Sequence, residues 1–281
     1  MKRIGIIVKW GEPAALKATR DLIKLLKGRE VAFFAESEVA SPLGLKGYDR
    51  KSIPAHSDII IVFGGDGTVL SAARHVGDRG IPIIGVNMGG LGFITELREN
   101  EVRKNLSMIL SDDCCCEERI MLLADVYRGR KKIIQHNALN DVVLNKSALS
   151  RMFDLDISIN RQYVTTFRLD GLILSSPTGS TAHSLSAGGP ILYPTLETFL
   201  MTPICPHSLT SRPIVLPDTF TIDITVKDGN DVYLTLDGQE GFPLKVRDRI
   251  RVRKAEYKTK FLVLRDRDYF KLLRTKLKWG E

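Results

Sequence analysis

The residues of this chain that could do chemistry begin with a glycine-rich turn. Gly64-Gly65-Asp66-Gly67-Thr68 comes directly after an apolar run, Ile59 to Phe63. Glycines after a buried strand let the backbone turn sharply and approach a ligand closely. Their N–H groups, with the N-terminus of a following helix, bind anions such as phosphate. The turn is neither a Walker A loop nor a Gly-x-Gly-x-x-Gly motif, and it predicts a phosphate site that contains a carboxylate.

The carboxylate of Asp66 has three interpretations. It could cap the helix that follows, as aspartate often does. It could hold a magnesium ion that bridges phosphates, or act as a general base toward a hydroxyl. Phosphoryl transfer needs neutralised donor phosphates and an aligned acceptor hydroxyl near an acidic residue. The turn therefore favours a kinase whose acceptor is an alcohol.

A second stretch, Arg168 to Leu192, reads RLDGLILSSPTGSTAHSLSAGGPIL. Its glycines and small hydroxylated residues offer many hydrogen bonds with little bulk, and they predict a binding role with a helix beginning near Thr181. Asn140 and Asp141 interrupt an apolar strand, so they either cap an edge or face a ligand such as a ribose diol. Asp237-Gly238-Gln239 is most simply a hairpin turn.

The elements that must position these residues change in pattern along the chain. Apolar runs alternate with amphipathic helical segments over the first hundred residues, which predicts a parallel sheet covered on both faces. The predicted strands are Arg3 to Val8, Val31 to Ala35, Ile59 to Phe63 and Ile81 to Val86, and the predicted helices are Pro13 to Lys27, Gly67 to Val76 and Asn100 to Leu110. From about Glu118 the apolar residues alternate with period two, which indicates β structure.

Two hairpins are predicted in that β-rich part. One turns at Tyr127-Arg128-Gly129-Arg130, and the other joins the run from Phe220 to the run from Val232 through Asp228-Gly229-Asn230. The predicted fold is α/β plus all-β. A Rossmann-like parallel-sheet domain at 1–113 precedes a β-sandwich-like, dinucleotide-binding domain at 114–264, and a C-terminal helix at 265–281 packs back on the first domain.

Composition narrows the class of protein. The chain has 281 residues, 43% hydrophobic and 26% charged, and it has no apolar run of membrane-spanning length. Cys114, Cys115 and Cys116 are consecutive, so free thiols in a reducing, cytoplasmic compartment are expected. The net charge of +8 is spread along the chain, which suits an anionic small-molecule substrate. We expect neither a nucleic-acid partner nor a membrane partner.

Taken together, these motifs resemble the NAD kinases. The Gly-Gly-Asp-Gly-Thr turn, GVNMGGLGFITE (85–96), ALNDVVL, the stretch from Asp170 to Ile191 and Asp-Gly-Gln occur in the order of that family. The resemblance covers nearly the whole chain, and the second glycine- and serine-rich stretch is its most specific part. It implies transfer of the γ-phosphate of ATP, or of polyphosphate, to the 2′-hydroxyl of the adenosine ribose of NAD, giving NADP. It also implies a divalent metal ion such as Mg²⁺ and a homodimer or homotetramer.

The resemblance also implies residue roles. Asp66 would be the proton acceptor, with Gly67 beside it, and Phe93 would contact adenine. Asn140 and Asp141 would hold the substrate's ribose, and Asp170 would reach the nicotinamide side from its own or a neighbouring subunit. The remaining residues that match binding positions of the family are Arg151, Arg168, Thr181, Ala182, His183, Ser184, Ser186 and Gln239.

Two departures and two alternatives accompany the resemblance. His183 replaces the usual tyrosine with a smaller ring that titrates near neutrality, which puts substrate affinity and its pH dependence in question. Gly90 stands where Arg or Asn is common.

A lipid kinase would share the first turn but would need a membrane-facing apolar surface, and the lipid-kinase hypothesis leaves the serine-rich stretch unexplained. A non-catalytic dinucleotide sensor would bind NAD without turnover, and retention of Asp66 argues against it.

Overall fold

The computed structural model describes residues 1–90, 92–111, 115–147, 151–229, 231–265 and 267–280. The predictions that concern Cys114 and Asn230 fall outside these ranges. Two units make up the chain: the first unit is Met1–Glu118 with Thr259–Glu281, and the second unit is Arg119–Lys258. Within the described ranges, no helix is both long and apolar enough to cross a membrane.

A parallel sheet is the framework of the first unit. Its strands are β1 (Lys2–Val8), β2 (Val31–Glu36), β3 (Gly47–Tyr48), β4 (Ile59–Phe63), β5 (Ile83–Asn87) and β6 (Leu97–Arg98). They lie in the order β5-β4-β1-β2-β3, with β6 beside β5. Every residue of β4 and β5 is buried, as expected of parallel strands covered on both faces. The predicted Rossmann-like half is confirmed.

Helices flank this sheet in the first unit. They are α1 (Pro13–Leu26), α2 (Ser37–Ala40), α3 (Asp66–Val76), α4 (Leu106–Leu110) and a C-terminal helix, Tyr269–Leu277, with 3₁₀ turns at Ser41–Leu43, Ile53–His56, Gly77–Arg79 and Glu99–Glu101. Proline suits the first turn of α1 because it lacks an N–H that would have no partner there. The face that α1 buries is set by Ala15, Ala18, Leu22 and Leu26, which recur at helical spacing.

The helix predicted from Asn100 to Leu110 is shorter in the structure. Only Leu106–Leu110 is α-helical, after a 3₁₀ turn at Glu99–Glu101. The apolar spacing is real, since Val102, Leu106 and Ile109 are all buried. Local side-chain bonds interrupt the helix, because the Glu101 carboxylate accepts the Arg98 N–H at 2.8 Å and the Asn105 amide donates to the Glu101 carbonyl at 3.0 Å.

The C-terminal helix is likewise shorter than the predicted tail. It begins after Asp268, whose carboxylate accepts the Lys271 N–H at 2.9 Å and so caps the first turn. It buries Tyr269 and Leu273. It belongs to the same unit as residues 1–118.

Two antiparallel sheets build the second unit. Its strands are β7 (Cys116–Arg128), β8 (Lys131–Ala138), β9 (Asp141–Lys146), β10 (Phe153–Ile159), β11 (Gln162–Leu169), β12 (Gly171–Ser175), β13 (Thr198–Ile204), β14 (Ile214–Pro217), β15 (Ile222–Asp228), β16 (Val232–Leu236), β17 (Glu240–Leu244) and β18 (Arg249–Leu262). One sheet has the order β14-β13-β12-β9-β16-β17, and the other contains β11-β10-β15-β18 and the hairpin β7-β8. Buried side chains of both sheets form one core, so the sandwich-like prediction is confirmed.

One predicted hairpin is wrong. β15 pairs with β10 and β18, whereas β16 pairs with β9 and β17, so the segment between them connects two different sheets. Period-two alternation identifies the buried face of each strand, but both layers of a sandwich show the same alternation, so it does not identify the partner strand. The other predicted hairpin is present, with Arg128 opposite Lys131 in β7-β8.

Candidate functional site

The carboxylate of Asp66 is held by three backbone N–H groups of one loop. Asp66 is the first residue of α3, directly after the glycine turn. Its Oδ2 accepts the N–H of Phe93 at 2.8 Å, and its Oδ1 accepts those of Ile94 at 3.1 Å and Thr95 at 3.2 Å. A carboxylate has about four acceptor positions, so one position remains on Oδ2 with respect to the described residues. A half-buried carboxylate in a fixed orientation, with one acceptor position left, suits a general base.

The helix-capping interpretation of Asp66 does not describe this arrangement. The N-cap residue of α3 is Gly65, which has no side chain that could cap the helix. Asp66 lies one residue later, and its carboxylate is directed to the loop after β5 instead of to its own helix. The positive end of the α3 dipole is thus combined with a glycine turn, which favours phosphate binding there.

The loop that holds Asp66 is itself fixed by buried polar side chains. Asn87, at the end of β5, donates to the Gly90 carbonyl at 2.7 Å and to the Thr95 hydroxyl at 2.9 Å. Thr95 Oγ1 also accepts the N–H of Gly92 at 3.2 Å. A Cβ on Gly92 would lie 2.0 Å from Asp66 Oδ1, so only glycine permits this close approach. Gly92 and Phe93 therefore position the carboxylate.

A resident metal centre does not fit these residues. In the part of the chain that the structure describes, no group of three or more His, Cys, Asp or Glu side chains could hold a metal ion. Asp66 itself has a single acceptor position left. Mg²⁺ in nucleotide sites is commonly held by one or two carboxylates together with substrate phosphates and water.

A pocket of about 340 Å³ lies in the second unit. Asn140, Asp141, Ala182, His183 and Asp237 are among its lining residues. Asn140 is only 8% exposed, and its Oδ1 has no hydrogen-bond partner among the described residues. A buried acceptor without a partner costs on the order of 1–3 kcal/mol, so a hydroxyl of a ligand would be stabilised there.

The serine-rich stretch packs against the backbone of the segment that contains Asn140. Ser175 and Ser176 are fully buried, and their hydroxyls donate to the carbonyls of Asn140 and Leu139 respectively. Gly179 packs so closely that a Cβ would lie 2.1 Å from the Asn140 carbonyl oxygen. Ser184 is also fully buried, and its hydroxyl bonds Thr202 at 2.8 Å. Ser175, Ser176 and Gly179 thus fix the backbone of Leu139 and Asn140.

Asp237 is the residue of this pocket that sequence reasoning missed. It forms the turn between β16 and β17, and its carboxylate accepts the N–H groups of Leu139 at 3.2 Å, Asn140 at 2.8 Å and Asp141 at 3.3 Å. Its φ of 51° beside Gly238 at 64° is the conformation that Asp-Gly adopts in tight hairpins. The Asp-Gly signal revealed the turn but not this second role of the side chain.

Asp141 has an altered acidity in this environment. Burial, and secondly the nearby charge of Asp237, raise the pKa of Asp141 to about 7. Near neutral pH its carboxyl group can therefore be present in both forms. The ionised form only accepts hydrogen bonds, whereas the protonated form also donates one.

We expect the Asp141→Asn variant to be more stable than the original chain at about pH 8 and similar to it at or below about pH 4. The unfolded carboxyl titrates near pKa ~3.9, so between about pH 4 and 7 the folded chain binds a proton that the unfolded chain releases. Stability therefore falls as pH rises through this window, and an amide has no such loss. Thermal midpoints measured across this range test the expectation. Asp21→Asn, at an exposed site, is the control, and a pH-independent difference would contradict the assignment.

The other predicted binding residues lie in varied settings. Thr181 is half-buried in the 3₁₀ turn Thr178–Thr181, followed by one helical turn at His183–Ser186, so the predicted helix is only a single turn. Asp170 is half-buried, and its carboxylate pairs with Lys146 at 3.2 Å. The exposed members of the predicted set are Gly67, Arg151, Arg168, His183, Ser186 and Gln239.

Comparisons with known proteins follow the same division of the chain. The ATP-NAD kinase N-terminal domain matches residues 4–114, and the ATP-NAD kinase C-terminal domain matches residues 139–264. The NAD kinase of Geobacter metallireducens is 48% identical over 282 residues and is covered, like this chain, over its full length. The NAD kinase of Koribacter versatilis is 45% identical over 285 residues, which cover 100% of this chain and 99% of that one.

Solved structures show the same architecture. The crystal structure of yeast NADH kinase complexed with NADH aligns with a TM-score of 0.93 and 28% identity, covering 100% of this chain and 89% of that chain. An NAD kinase from Archaeoglobus fulgidus aligns with a TM-score of 0.78 and 22% identity over 98% of both chains, which shows the fold. The family models and the relatives thus define a phosphotransferase with a nucleotide substrate. The chain belongs to the NAD kinase family.

Proposed function

We propose that this chain transfers the γ-phosphate of ATP, or a phosphate of polyphosphate, to the 2′-hydroxyl of the adenosine ribose of NAD, with Asp66 as general base. The observation that carries the proposal is the fixed Asp66 carboxylate with one acceptor position left on Oδ2. In that position it accepts the hydroxyl proton as the oxygen attacks phosphorus, while the bond from that phosphorus to the bridging oxygen breaks and ADP, or the shortened polyphosphate, leaves. The family's description as ATP-NAD kinase supports ATP as the donor.

The roles of the other residues follow from their settings. The turn at Gly64 to Thr68 and the N-terminus of α3 bind the donor phosphates, accompanied by a divalent ion such as Mg²⁺. Asn140 Oδ1 and Asp141 accept hydrogen bonds from a ribose diol of NAD, which gives the buried amide oxygen its missing partner. Phe93, half-buried and with its N–H bound to Asp66, contacts adenine. The remaining expected contacts are Gly67, Arg151, Arg168, Asp170, Thr181, Ala182, His183, Ser184, Ser186 and Gln239.

Two broader features belong to the proposal. Cys115 and Cys205 are exposed free thiols, which suits the cytoplasm. A homodimer or homotetramer is favoured by the edge strand β11, where Tyr163 is 66% and Val164 46% exposed. Analytical ultracentrifugation reports the oligomeric state directly.

A coupled assay tests the reaction. Purified protein with Mg²⁺, NAD and ATP should form NADP, and parallel reactions with polyphosphate or NADH define the donor and the acceptor. NADP is quantified with a dehydrogenase that is specific for it. NAD binding in calorimetry, with no NADP formed from either donor, would instead identify a dinucleotide sensor.

A further inference from the structure

A segment near the C-terminus contacts the loop that holds Asp66. Arg267, just before the C-terminal helix, has a side chain that is 16% exposed. Its Nη2 donates to the Phe93 carbonyl at 3.4 Å, and its Nε lies 3.2 Å from a carboxylate oxygen of Glu96. Its Nη1 donates to Glu117 at 2.7 Å. One guanidinium thus joins the loop to the end of the chain.

The decisive contact involves a single peptide group. The Phe93 carbonyl accepts from Arg267, and the N–H of the same peptide unit, which belongs to Ile94, donates to Asp66 Oδ1 at 3.1 Å. Because a peptide group is planar and rigid, fixing its oxygen also fixes the direction of its N–H. A cation at the oxygen also polarises the peptide and strengthens the N–H as a donor.

Further contacts join the loop that holds Asp66 to the segment near the C-terminus. The second carboxylate oxygen of Glu96 accepts the N–H of Leu264 at 2.8 Å. Lys276, in the C-terminal helix, places its ammonium 5.4 Å from the centre of the Phe93 ring, within range of a cation–π interaction. The side chain of Glu96 is only 6% exposed, so its pair with Arg267 is shielded from solvent and well fixed.

We propose that Arg267 is a positioning residue for the reaction, which holds the Phe93–Ile94 peptide and, through it, the carboxylate of Asp66. This inference rests on the proposed function, in which Asp66 is the general base. Arg267 itself touches neither substrate in this scheme. The planar fork of a guanidinium is needed because three acceptors surround it, and a lysine cannot reach all three with fixed geometry.

The test measures kcat and KM for NAD in four proteins: the original chain, Arg267→Gln, Asp66→Asn and the double variant. We expect Arg267→Gln to lower kcat by about tenfold or more and to change KM for NAD by less than about threefold, since misplacement of a reacting group acts mainly on turnover. In the Asp66→Asn background the same substitution should have little further effect on kcat, because residues that act through one another are not additive.

Control variants make each outcome decisive. Arg274→Gln alters an exposed arginine whose described ion pair is with exposed Asp268, and it should leave kcat unchanged. Arg267→Lys retains a cation beside Glu96 and Glu117, so it should fold and show a smaller loss of kcat even if Arg267→Gln does not fold. An unchanged kcat in the Arg267 variants, or an equal loss in both backgrounds, overturns the positioning role. Normal activity of Asp66→Asn would instead overturn the role of Asp66 as the general base, on which this inference rests, and absence of NADP formation by the original chain would overturn the proposed function.

Discussion

Substituting Asp66 with Asn should lower kcat by about 10²- to 10⁴-fold, the range that loss of a general base produces. The amide cannot take the proton of the acceptor hydroxyl, although donor and acceptor can still be bound. Steady-state kinetics with saturating ATP and NAD measure the effect. KM for NAD should change much less than kcat, because the proposed ribose contacts are made by Asn140 and Asp141.

The control for Asp66→Asn must account for the loop contacts. An amide nitrogen in the position of Oδ2 would face the N–H of Phe93, which is a donor, so some disturbance of the loop is expected. Thermal unfolding and NAD calorimetry establish whether the fold and the binding persist. Asp78→Asn, at an exposed acid just beyond the other end of α3, should behave as the original chain does. A kcat of Asp66→Asn close to the original value would remove the proposed base.

The elements of the fold were largely predictable from local patterns. Buried runs such as Ile59–Phe63 are strands, and the spacing in Pro13–Leu26 is that of a helix, because periodicity reports which face meets the core. Strand partners were not predictable in the same way. β15 and β16 are adjacent in sequence and alternate alike, yet each is stabilised by a different sheet, and only the packing of the whole unit decides this.

In the candidate site too, some residues were predictable from local sequence patterns and their partners were not. Asp66 and Asn140 were recognisable as candidate site residues because a polar residue at the end of an apolar strand is costly to bury unless it has a hydrogen-bond partner. The partners of Asp66 were not, since the three N–H donors lie 27 to 29 residues away and are backbone groups without a side-chain signature. The internal bonds of the second stretch were not predictable either: the hydroxyls of Ser175, Ser176 and Ser184 bond to other protein groups, because a buried hydroxyl takes the nearest acceptor.

Substituting Gly92 with Ala should be nearly as damaging as removing the base, although every titratable group remains. The added methyl would lie 2.0 Å from Asp66 Oδ1 and 2.5 Å from Thr95 Oγ1, so the carboxylate and the loop must move apart. Since a shift of about 1 Å in a reacting group costs on the order of 10² in rate, we expect kcat to fall by about that factor. Kinetics on Gly92→Ala and on Gly90→Ala make the comparison.

Gly90 is the matched control for this prediction, because it lies in the same loop and a Cβ there would meet no atom within 4 Å. Gly90→Ala should therefore keep kcat within about twofold, since a substitution without a steric or hydrogen-bond consequence has little effect. If both variants are equally active, the loop yields to the methyl group without moving the carboxylate. A loss confined to Gly92→Ala, with NAD affinity retained, shows that the orientation of Asp66, beyond its mere presence, sets the rate. Asp66→Asn removes the acid and Gly92→Ala displaces it, so the two together separate proton transfer from positioning.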